Sequence, residues 1–326
     1  MRRSLHGNRL FRSLTEPGEI ETLLTKLRVR CVAVGLLFLA TGCASGQQLQ
    51  SVPAGEFLRP AVRHDLMYVS NESTGYVSVL TYPDGIPIGA IGGFAEPEGE
   101  CVDGVGDVFI ADRLHHQVQE FAHGRMSPIK TLAYSDSQPF GCSVDPVTGN
   151  LAVTNSDWTK KQKSAIAIFR GASGAPQTYT WPNHYALFCG YDNQGNLYVD
   201  GIGAGHNLFA FAELAAGGNA IVPVSLNQTI QYPGSVQWDG TYMMVADTNQ
   251  SVAYRFQFTK SGGVAVGSPT YLDGSYGGLQ ETWVYHGNIT GTDGDVRLWN
   301  YPAGGDIVKT YTGFSRPVAA VVSPVR

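Results

Sequence analysis

Short apolar runs recur along the chain at a nearly constant interval. Each run follows a turn and ends in a small or polar residue. Five clear copies and a weaker sixth span residues 66–71, 107–112, 150–155, 196–201, 242–247 and 285–290. Their last positions are spaced by 41, 43, 46, 46 and 43 residues. Spacing of this size is typical of β-propeller blades, each built from four strands.

The segments around each run repeat as well. Upstream of four copies lies a segment that ends in Asp, at residues 97–103, 139–145, 186–192 and 233–239. Downstream lie an alternating segment and then a short apolar one, for example residues 76–80 and 87–91. Alternation with a period of two marks half-buried antiparallel strands. The pattern therefore predicts four antiparallel strands per unit.

The first unit lacks an upstream strand, and the C-terminus supplies a match. Residues 316–324 follow the upstream pattern, with Ser323 at the Asp position. We therefore predict an all-β fold over residues 57–326. It is one six-bladed β-propeller of four-stranded antiparallel blades, with its ring closed by the C-terminal strand, which leaves few sheet edges exposed.

Composition and charge exclude several classes of protein. Only 15% of the 326 residues are charged and 40 are Gly, which argues against a disordered chain or a long coiled coil. Residues 1–43 hold seven basic and three acidic side chains, which leaves 15 basic and 24 acidic for the rest, a net charge of −9. A body that acidic repels phosphate backbones, so no nucleic-acid partner is expected.

The N-terminal region has the pattern of an export signal. Basic residues at 26–30 precede an apolar stretch at 31–42, which spans about 18 Å as a helix and is too short to cross a bilayer. The segment ends Leu39-Ala-Thr-Gly-Cys43, which resembles the bacterial lipoprotein signal, although Ala40 stands where Leu is commonest. That resemblance implies lipid attachment at Cys43. The alternative is an ordinary cleaved signal with an incidental Cys.

The predicted organisation follows from this signal. Residues 1–25 are a start-site extension or a long n-region, residues 26–42 the signal peptide, and residues 43–56 a flexible tether rich in Gly, Ser and Gln. The resemblance implies an exported protein anchored to a membrane of the bacterial cell envelope. Ala44, where an Asp would retain an enteric lipoprotein at the inner membrane, points to the outer membrane.

The strand ends resemble those of NHL-repeat propellers and of the related gluconolactonase/regucalcin-like propellers. The nearest matches are Ala111-Asp112 and Ala246-Asp247-Thr-Asn249. Gluconolactonase-like members bind a divalent cation such as Ca²⁺ through a Glu, an Asn and an Asp in the central channel. Only Glu98, in Pro97-Glu98-Gly99, can be carried over, and a solvated carboxylate at the channel mouth is the favoured interpretation.

Two other residue sets are candidate sites. NHL-type amidating lyases bind zinc through His, but the seven His after residue 43 occupy different positions in each unit, so a three-His site is not predicted. Asp112, Asn155 and Asp247, with Asn71, all end second strands and could bind a cation or sugar hydroxyls. Alternatively, each side chain accepts hydrogen bonds from turn N–H groups, which their repetition in the units favours.

Aromatic and cysteine residues complete the candidates. Eight aromatic residues lie in or beside turns, where they could stack on sugars, anchor a protein partner or pack between blades: Trp158, Trp181, Tyr185, Tyr232, Tyr271, Tyr276, Tyr285 and Tyr301. Cys101, Cys142 and Cys189 fall in upstream strands. Packed sheets lie about 10 Å apart, beyond the reach of a disulfide, so buried thiols are expected.

Two functional hypotheses follow. The first is a non-catalytic, lipid-anchored propeller without a cofactor that binds a protein or a glycan. The second is a metal-dependent gluconolactonase-like hydrolase or lyase, with Glu98 joined by an Asn and an Asp from other blades around one cation. The missing family motifs favour the first.

Overall fold

The computed structural model describes residues 58, 63–133, 138–155, 164–203, 208–272, 282–284, 288–292 and 294–326, with backbone only for 282–284 and 288–292. All of them lie in one compact unit, residues 46–326. The strands of the first half are β1 Asp65–Asn71, β2 Tyr76–Tyr82, β3 Pro87–Ile91, β4 Pro97–Val102, β5 Val108–Asp112, β6 Gln117–Phe121, β7 Lys130–Ala133, β8 Pro139–Val144, β9 Leu151–Asn155, β10 Ala165–Phe169, β11 Gln177–Thr180 and β12 His184–Tyr191.

The second half continues in the same manner. Its strands are β13 Leu197–Gly203, β14 Phe209–Leu214, β15 Val222–Pro223, β16 Val236–Trp238, β17 Met243–Asp247, β18 Val252–Thr259, β19 Gly262–Ala265, β20 Thr270–Tyr271, β21 Thr282–Val284, β22 Asn288–Thr292, β23 Asp295–Trp299, β24 Lys309–Thr312 and β25 Pro317–Ser323. Helical structure in the described residues is limited to a 3₁₀ turn, Arg170–Ala172. The described part of the chain therefore holds no long apolar helix of the kind that crosses a membrane.

Six antiparallel sheets account for these strands. Sheet 1 has the order β25-β1-β2-β3, and sheets 2, 3, 4 and 6 are β4–β7, β8–β11, β12–β15 and β21–β24. Sheet 5 is β16–β19, with β20 paired to β18. The molecule is an all-β propeller of small antiparallel blades, as predicted, but five blades are recognised, so the predicted number of six is not confirmed.

The C-terminal strand pairs with the first strand of the chain. Register partners run from Leu66 opposite Ser323 to Ser70 opposite Ala319, with an irregularity at Asn71. Sheet 1 therefore takes its first strand from the end of the chain, as the pattern of residues 316–324 predicts. Val325 N–H also donates to the Asp65 carboxylate, which fixes the chain end beside the start of β1.

Three strand predictions differ from the structure. In the fourth unit the second strand, β13, ends at residue 203 rather than 201, because its pairing with β12 extends to Gly203 opposite His184. In the sixth unit the second strand is β22, so the strand ends at residue 292 rather than 290, because the pairing with β23 extends to Thr292 opposite Asp295. In the fifth unit the short segment after the alternating one, residues 269–272, is predicted as the fourth strand and forms only the short β20. The fourth place in sheet 5 belongs to β19, because β18 runs on through residue 259 and turns back at once.

Antiparallel order places the connections on two opposite faces. First-to-second and third-to-fourth strand turns, such as residues 103–107 and 122–129, form what we call the hairpin face. Second-to-third loops and the links between sheets, such as residues 72–75 and 92–96, form what we call the junction face. Apolar residues between successive sheets make up the core, because each strand presents alternate side chains to both neighbouring sheets.

Cys101 and Cys142 form a disulfide, which corrects the expectation of thiols at these positions. Their Cα atoms lie 5.7 Å apart, within the range that a disulfide requires. The prediction failed because it used the mean spacing of packed sheets, whereas β4 and β8 are first strands of adjacent sheets and approach more closely. Cys189 is buried and outside any disulfide.

Candidate functional site

Asp112 ends β5 on the junction face and is fully buried. One of its carboxylate oxygens accepts hydrogen bonds from the backbone N–H groups of Ala95 and Glu96, at 3.0 and 3.2 Å. Its other oxygen lies 2.7 Å from His115 Nδ1 and accepts from the Gln117 amide. The side chain thus joins the end of β5 to the loop that enters β4.

Asp247 and Asn71 make the same connection in sheets 5 and 1. The Asp247 carboxylate accepts from the N–H groups of Gln231 and Tyr232, in the loop that leads into β16. The Asn71 side-chain oxygen accepts from Ser315 N–H at 2.9 Å, in the loop that leads into β25. In each case a strand-end side chain satisfies N–H groups of an irregular segment, as the alternative interpretation of these residues predicts.

In sheets 1, 2 and 5 the polar side chains at the strand ends therefore hold neighbouring loops in place. Asn155 ends β9 with 1% of its surface exposed, and its backbone carbonyl accepts a hydrogen bond from the Ser164 hydroxyl. Sheet 4 uses Asp200 in place of the predicted strand end at Gly201. Its carboxyl group, fully buried, accepts from Phe188 N–H and from Gly234 N–H in the loop that enters sheet 5. Burial raises the pKa of Asp200 well above its usual value.

Glu98 lies in β4 and is 5% exposed, so its interpretation as a solvated carboxylate is wrong. The reason is the position of β4, a first strand covered by sheets on both sides. Glu98 is part of an acidic cluster with Glu72 and Glu96, whose nearest carboxylate oxygens all lie within 4.8 Å of one another. Glu72 follows β1 and Glu96 precedes β4, so the loops of two adjacent sheets bring the three groups together on the junction face.

Two arginines accompany the acidic cluster. Arg113 Nη1 lies 2.8 Å from Glu96 and 3.4 Å from Glu98, and its Nε donates to Gln138. Arg316 Nε lies 2.8 Å from Glu72. Three carboxyl groups and two guanidinium groups therefore share this corner, and the net charge is small if one carboxyl group keeps its proton.

The protonation of the cluster follows from its burial. Burial raises the pKa of Glu98 to about 8, with a further rise from Glu72, and Arg113 offsets only part of this. Burial also raises the pKa of Glu72, and a hydrogen bond to the Glu96 carboxyl group adds to the rise. At neutral pH we expect Glu98 to hold a proton most of the time.

The carboxylate ligands of the acidic cluster suit a divalent cation, whereas its arginine does not. Three carboxylates within 4.8 Å supply the hard oxygen ligands that Ca²⁺ and Mg²⁺ prefer. Arg113 already occupies two of the carboxylates, so a cation would have to displace it. The Asn and Asp that the gluconolactonase resemblance implies are not the groups that surround Glu98 in the described part of the chain.

Sequence analysis did not identify Glu72 and Glu96 as partners of Glu98. A signal was present, because Glu72 directly follows the strand-end Asn71 and Glu96 directly precedes the first strand of the next unit. In a propeller these two positions share one face. The repeat alone does not show which of the six loops on that face lie close enough to Glu98 to supply the other carboxylates.

The remaining candidates are dispersed. Among the aromatic residues, Trp181 is buried, stacked on His184 at 4.5 Å, and the Tyr301 hydroxyl donates to Asp239. Tyr271 is 61% exposed. Three of the aromatic residues, Trp158, Tyr276 and Tyr285, and the lipidation residue Cys43 lie outside the described residues.

Comparison with solved structures supports the fold. The chain is similar to a chain of the nidogen/laminin complex, with a TM-score of 0.63 and 12% identity over 80% of this chain and 99% of that one. It is also similar to a protein of unknown function from Bacteroides caccae, with a TM-score of 0.58 and 11% identity over the same shares. No protein-family model and no curated protein matches. At this identity the likeness shows a β-propeller fold and no function.

Proposed function

We propose that this protein is an exported, lipid-anchored β-propeller of the bacterial cell envelope that binds a glycan or protein partner without catalysing a reaction. Lipid on Cys43 holds it at the membrane, residues 43–56 act as the tether, and the outer membrane is the proposed location. The NHL-like propeller is the scaffold that presents the binding surface.

The arrangement of the sheets supports a closed ring of six blades. Adjacent sheets are joined by contacts that repeat around the molecule: Ser70 with Glu100, the Cys101–Cys142 disulfide, Thr154 with the Leu187 carbonyl, Asp200 with Gly234 N–H, and Tyr301 with Asp239. Sheet 6 then returns to sheet 1, because the Tyr311 hydroxyl and the Lys309 ammonium both donate to the Pro83 carbonyl. A ring of this kind has a rigid surface suited to binding.

The observation that carries the non-catalytic proposal is the engagement of the acidic side chains of the junction face. Asp112, Asp247 and Asp200 accept from backbone N–H groups, and Glu96 and Glu98 pair with Arg113. Groups held in this way stabilise loops, and their hydrogen-bonding positions are already filled before a substrate arrives.

A metal-dependent hydrolase or lyase is the second candidate function. The specific observation in its favour is the acidic cluster of Glu72, Glu96 and Glu98. A cation there would require Glu98 to lose its proton and Arg113 to move away, and both changes cost free energy at neutral pH.

Lipid attachment can be tested in cells. A bacterial host expressing the full chain is labelled with an alkyne fatty acid and then fractionated. We expect the wild-type protein to carry the label and to sediment with membranes, and Cys43→Ser to lose the label and most of its membrane association. Cys31→Ser, in the predicted signal, is the matched control and should remain labelled. Labelling of Cys43→Ser equal to that of the wild type would refute the anchor.

A further inference from the structure

A pocket of about 490 Å³ opens on the hairpin face between sheets 4 and 5. The acidic cluster lies on the opposite face, the junction face, at sheets 1 and 2. Its walls come from the turn that begins at Asp192, from the turn that contains Thr241, and from β14 and β18. A volume of this size accommodates a small organic ligand or two sugar rings.

Aromatic rings line one side of the pocket. Phe258 and Trp238 are partly exposed there, so both offer a ring surface to a ligand. The Phe258 ring is stacked on Tyr198 at 4.2 Å between ring centres and lies 5.7 Å from Phe211. Tyr198 is itself only 4% exposed, so it supports Phe258 from behind rather than reaching the ligand. The platform is therefore rigid before any ligand arrives.

Polar side chains with unused hydrogen-bonding groups also border the pocket. Glu213 and Lys260 are among the lining residues, and in the part of the chain that the structure describes they make no side-chain hydrogen bond. Gln257 lies between Phe256 and Phe258 in β18, so its side chain is on the other face of sheet 5. Burial, and secondarily the charge of Asp192, raise the pKa of Glu213. The Asp192 carboxylate is occupied by its own turn, since it accepts from Gln194 N–H, Asn196 N–H and the Asn196 amide.

We propose that this pocket binds a neutral glycan through the rings of Phe258 and Trp238 and the polar side chains of Glu213 and Lys260. A sugar ring has an apolar face that stacks on aromatic rings and a rim of hydroxyl groups that both donate and accept hydrogen bonds. A carboxylate and an ammonium group together satisfy both roles. A basic peptide fits less well, because Lys260 repels a cation and Glu213 is the one carboxylate of the lining that is not occupied by its own turn.

This inference deepens the proposed function, since it names the partner class and the surface that takes it, and it rests on that proposal only for the source of the glycan. Lipid attachment at Cys43 and glycan binding at this pocket are separate measurements. A chain that carries lipid but binds no glycan would overturn the inference and leave the anchor in place. A chain that binds glycan without lipid would do the reverse.

Isothermal titration calorimetry of the full chain in detergent tests the inference. The probes are linear hexasaccharides of β-1,4-glucose, β-1,4-N-acetylglucosamine and α-1,4-glucose, and a tetralysine peptide. We expect saturable binding of at least one hexasaccharide, and at least tenfold weaker binding in Phe258→Leu, which keeps an apolar side chain on Tyr198. Lys260→Ala changes an exposed side chain of the lining and should also weaken binding.

Tyr271→Leu is the matched control, because Tyr271 is an exposed aromatic residue outside the pocket. Its affinity should equal that of the wild type. The inference is overturned if no hexasaccharide binds, if Phe258→Leu and Lys260→Ala bind as tightly as the wild type, or if tetralysine binds and loses its affinity in Glu213→Gln. The last outcome would identify a site for a basic peptide.

Discussion

Between the usual glutamate pKa of 4.5 and a pKa of about 8 in the folded chain, ionisation of Glu98 should destabilise the protein by on the order of 5 kcal/mol, and replacing Glu98 with glutamine should remove this effect. The folded state holds the proton up to the higher pKa, whereas the unfolded chain releases it near the lower one. Ionisation therefore favours unfolding, and stability from this group is full below the lower pKa, falls as the pH rises between the two, and is constant above the higher one.

The measurement is the free energy of unfolding from urea titrations at several pH values across this range. Glutamine cannot ionise, so the variant should become increasingly more stable than the wild type as the pH rises. Asp306→Asn, which removes an exposed carboxylate on the hairpin face, is the control and should follow the wild-type profile. Parallel profiles for the wild type and Glu98→Gln would contradict the burial of a protonated Glu98.

Removing the disulfide through a double substitution, Cys101→Ala with Cys142→Ala, should lower the free energy of unfolding by about 4 kcal/mol. The bond closes a loop across a sequence separation of 41 residues, and a cross-link of that length restricts the unfolded chain by about this amount. Urea unfolding of the protein made without residues 1–45 checks the value. A reducing agent should shift the wild type toward the variant and leave the variant unchanged.

The repeat itself offers a gain-of-bond control for the disulfide. Cys101 and Ser143 each pair with the residue three before a second-strand end, Phe109 and Ala152 respectively, and Cys142 and Cys189 are likewise equivalent. In the protein made without residues 1–45, which keeps three Cys, one thiol is expected under denaturing conditions. Ser143→Cys should form a second disulfide with Cys189, and that thiol should disappear. Three thiols in the denatured wild type would contradict the native bond.

Most of the fold could be predicted from the sequence because the repeat carries it. The second strands end at the predicted residue in four units, and the pairing of residues 316–324 with β1 follows from one missing upstream strand. The prediction was weakest where one unit departs from the others. In sheet 5 the extension of β18 displaced the expected fourth strand, and the run at residues 285–290 was too irregular to fix the end of β22.

The candidate site was less predictable because its chemistry depends on contacts between units. Glu98 could be named from a resemblance, but its burial and its neighbours Glu72 and Arg113 come from two adjacent sheets. The repeat predicts where each strand lies in its sheet but not how closely neighbouring sheets approach. The interpretation of Cys101 and Cys142 was wrong for the same reason. The pocket at Phe258 was missed for this reason too, since its rings lie on different strands.

A metal titration distinguishes the proposed partner-binding propeller from a metal-dependent enzyme. Thermal unfolding of the wild type and Glu98→Gln is followed with Ca²⁺, Mn²⁺ and Zn²⁺, together with elemental analysis of the purified protein. We expect no bound metal and no rise in the unfolding temperature of either protein. One metal per chain, with a stabilisation that Glu98→Gln abolishes, would contradict the account and establish the acidic cluster as a cation site.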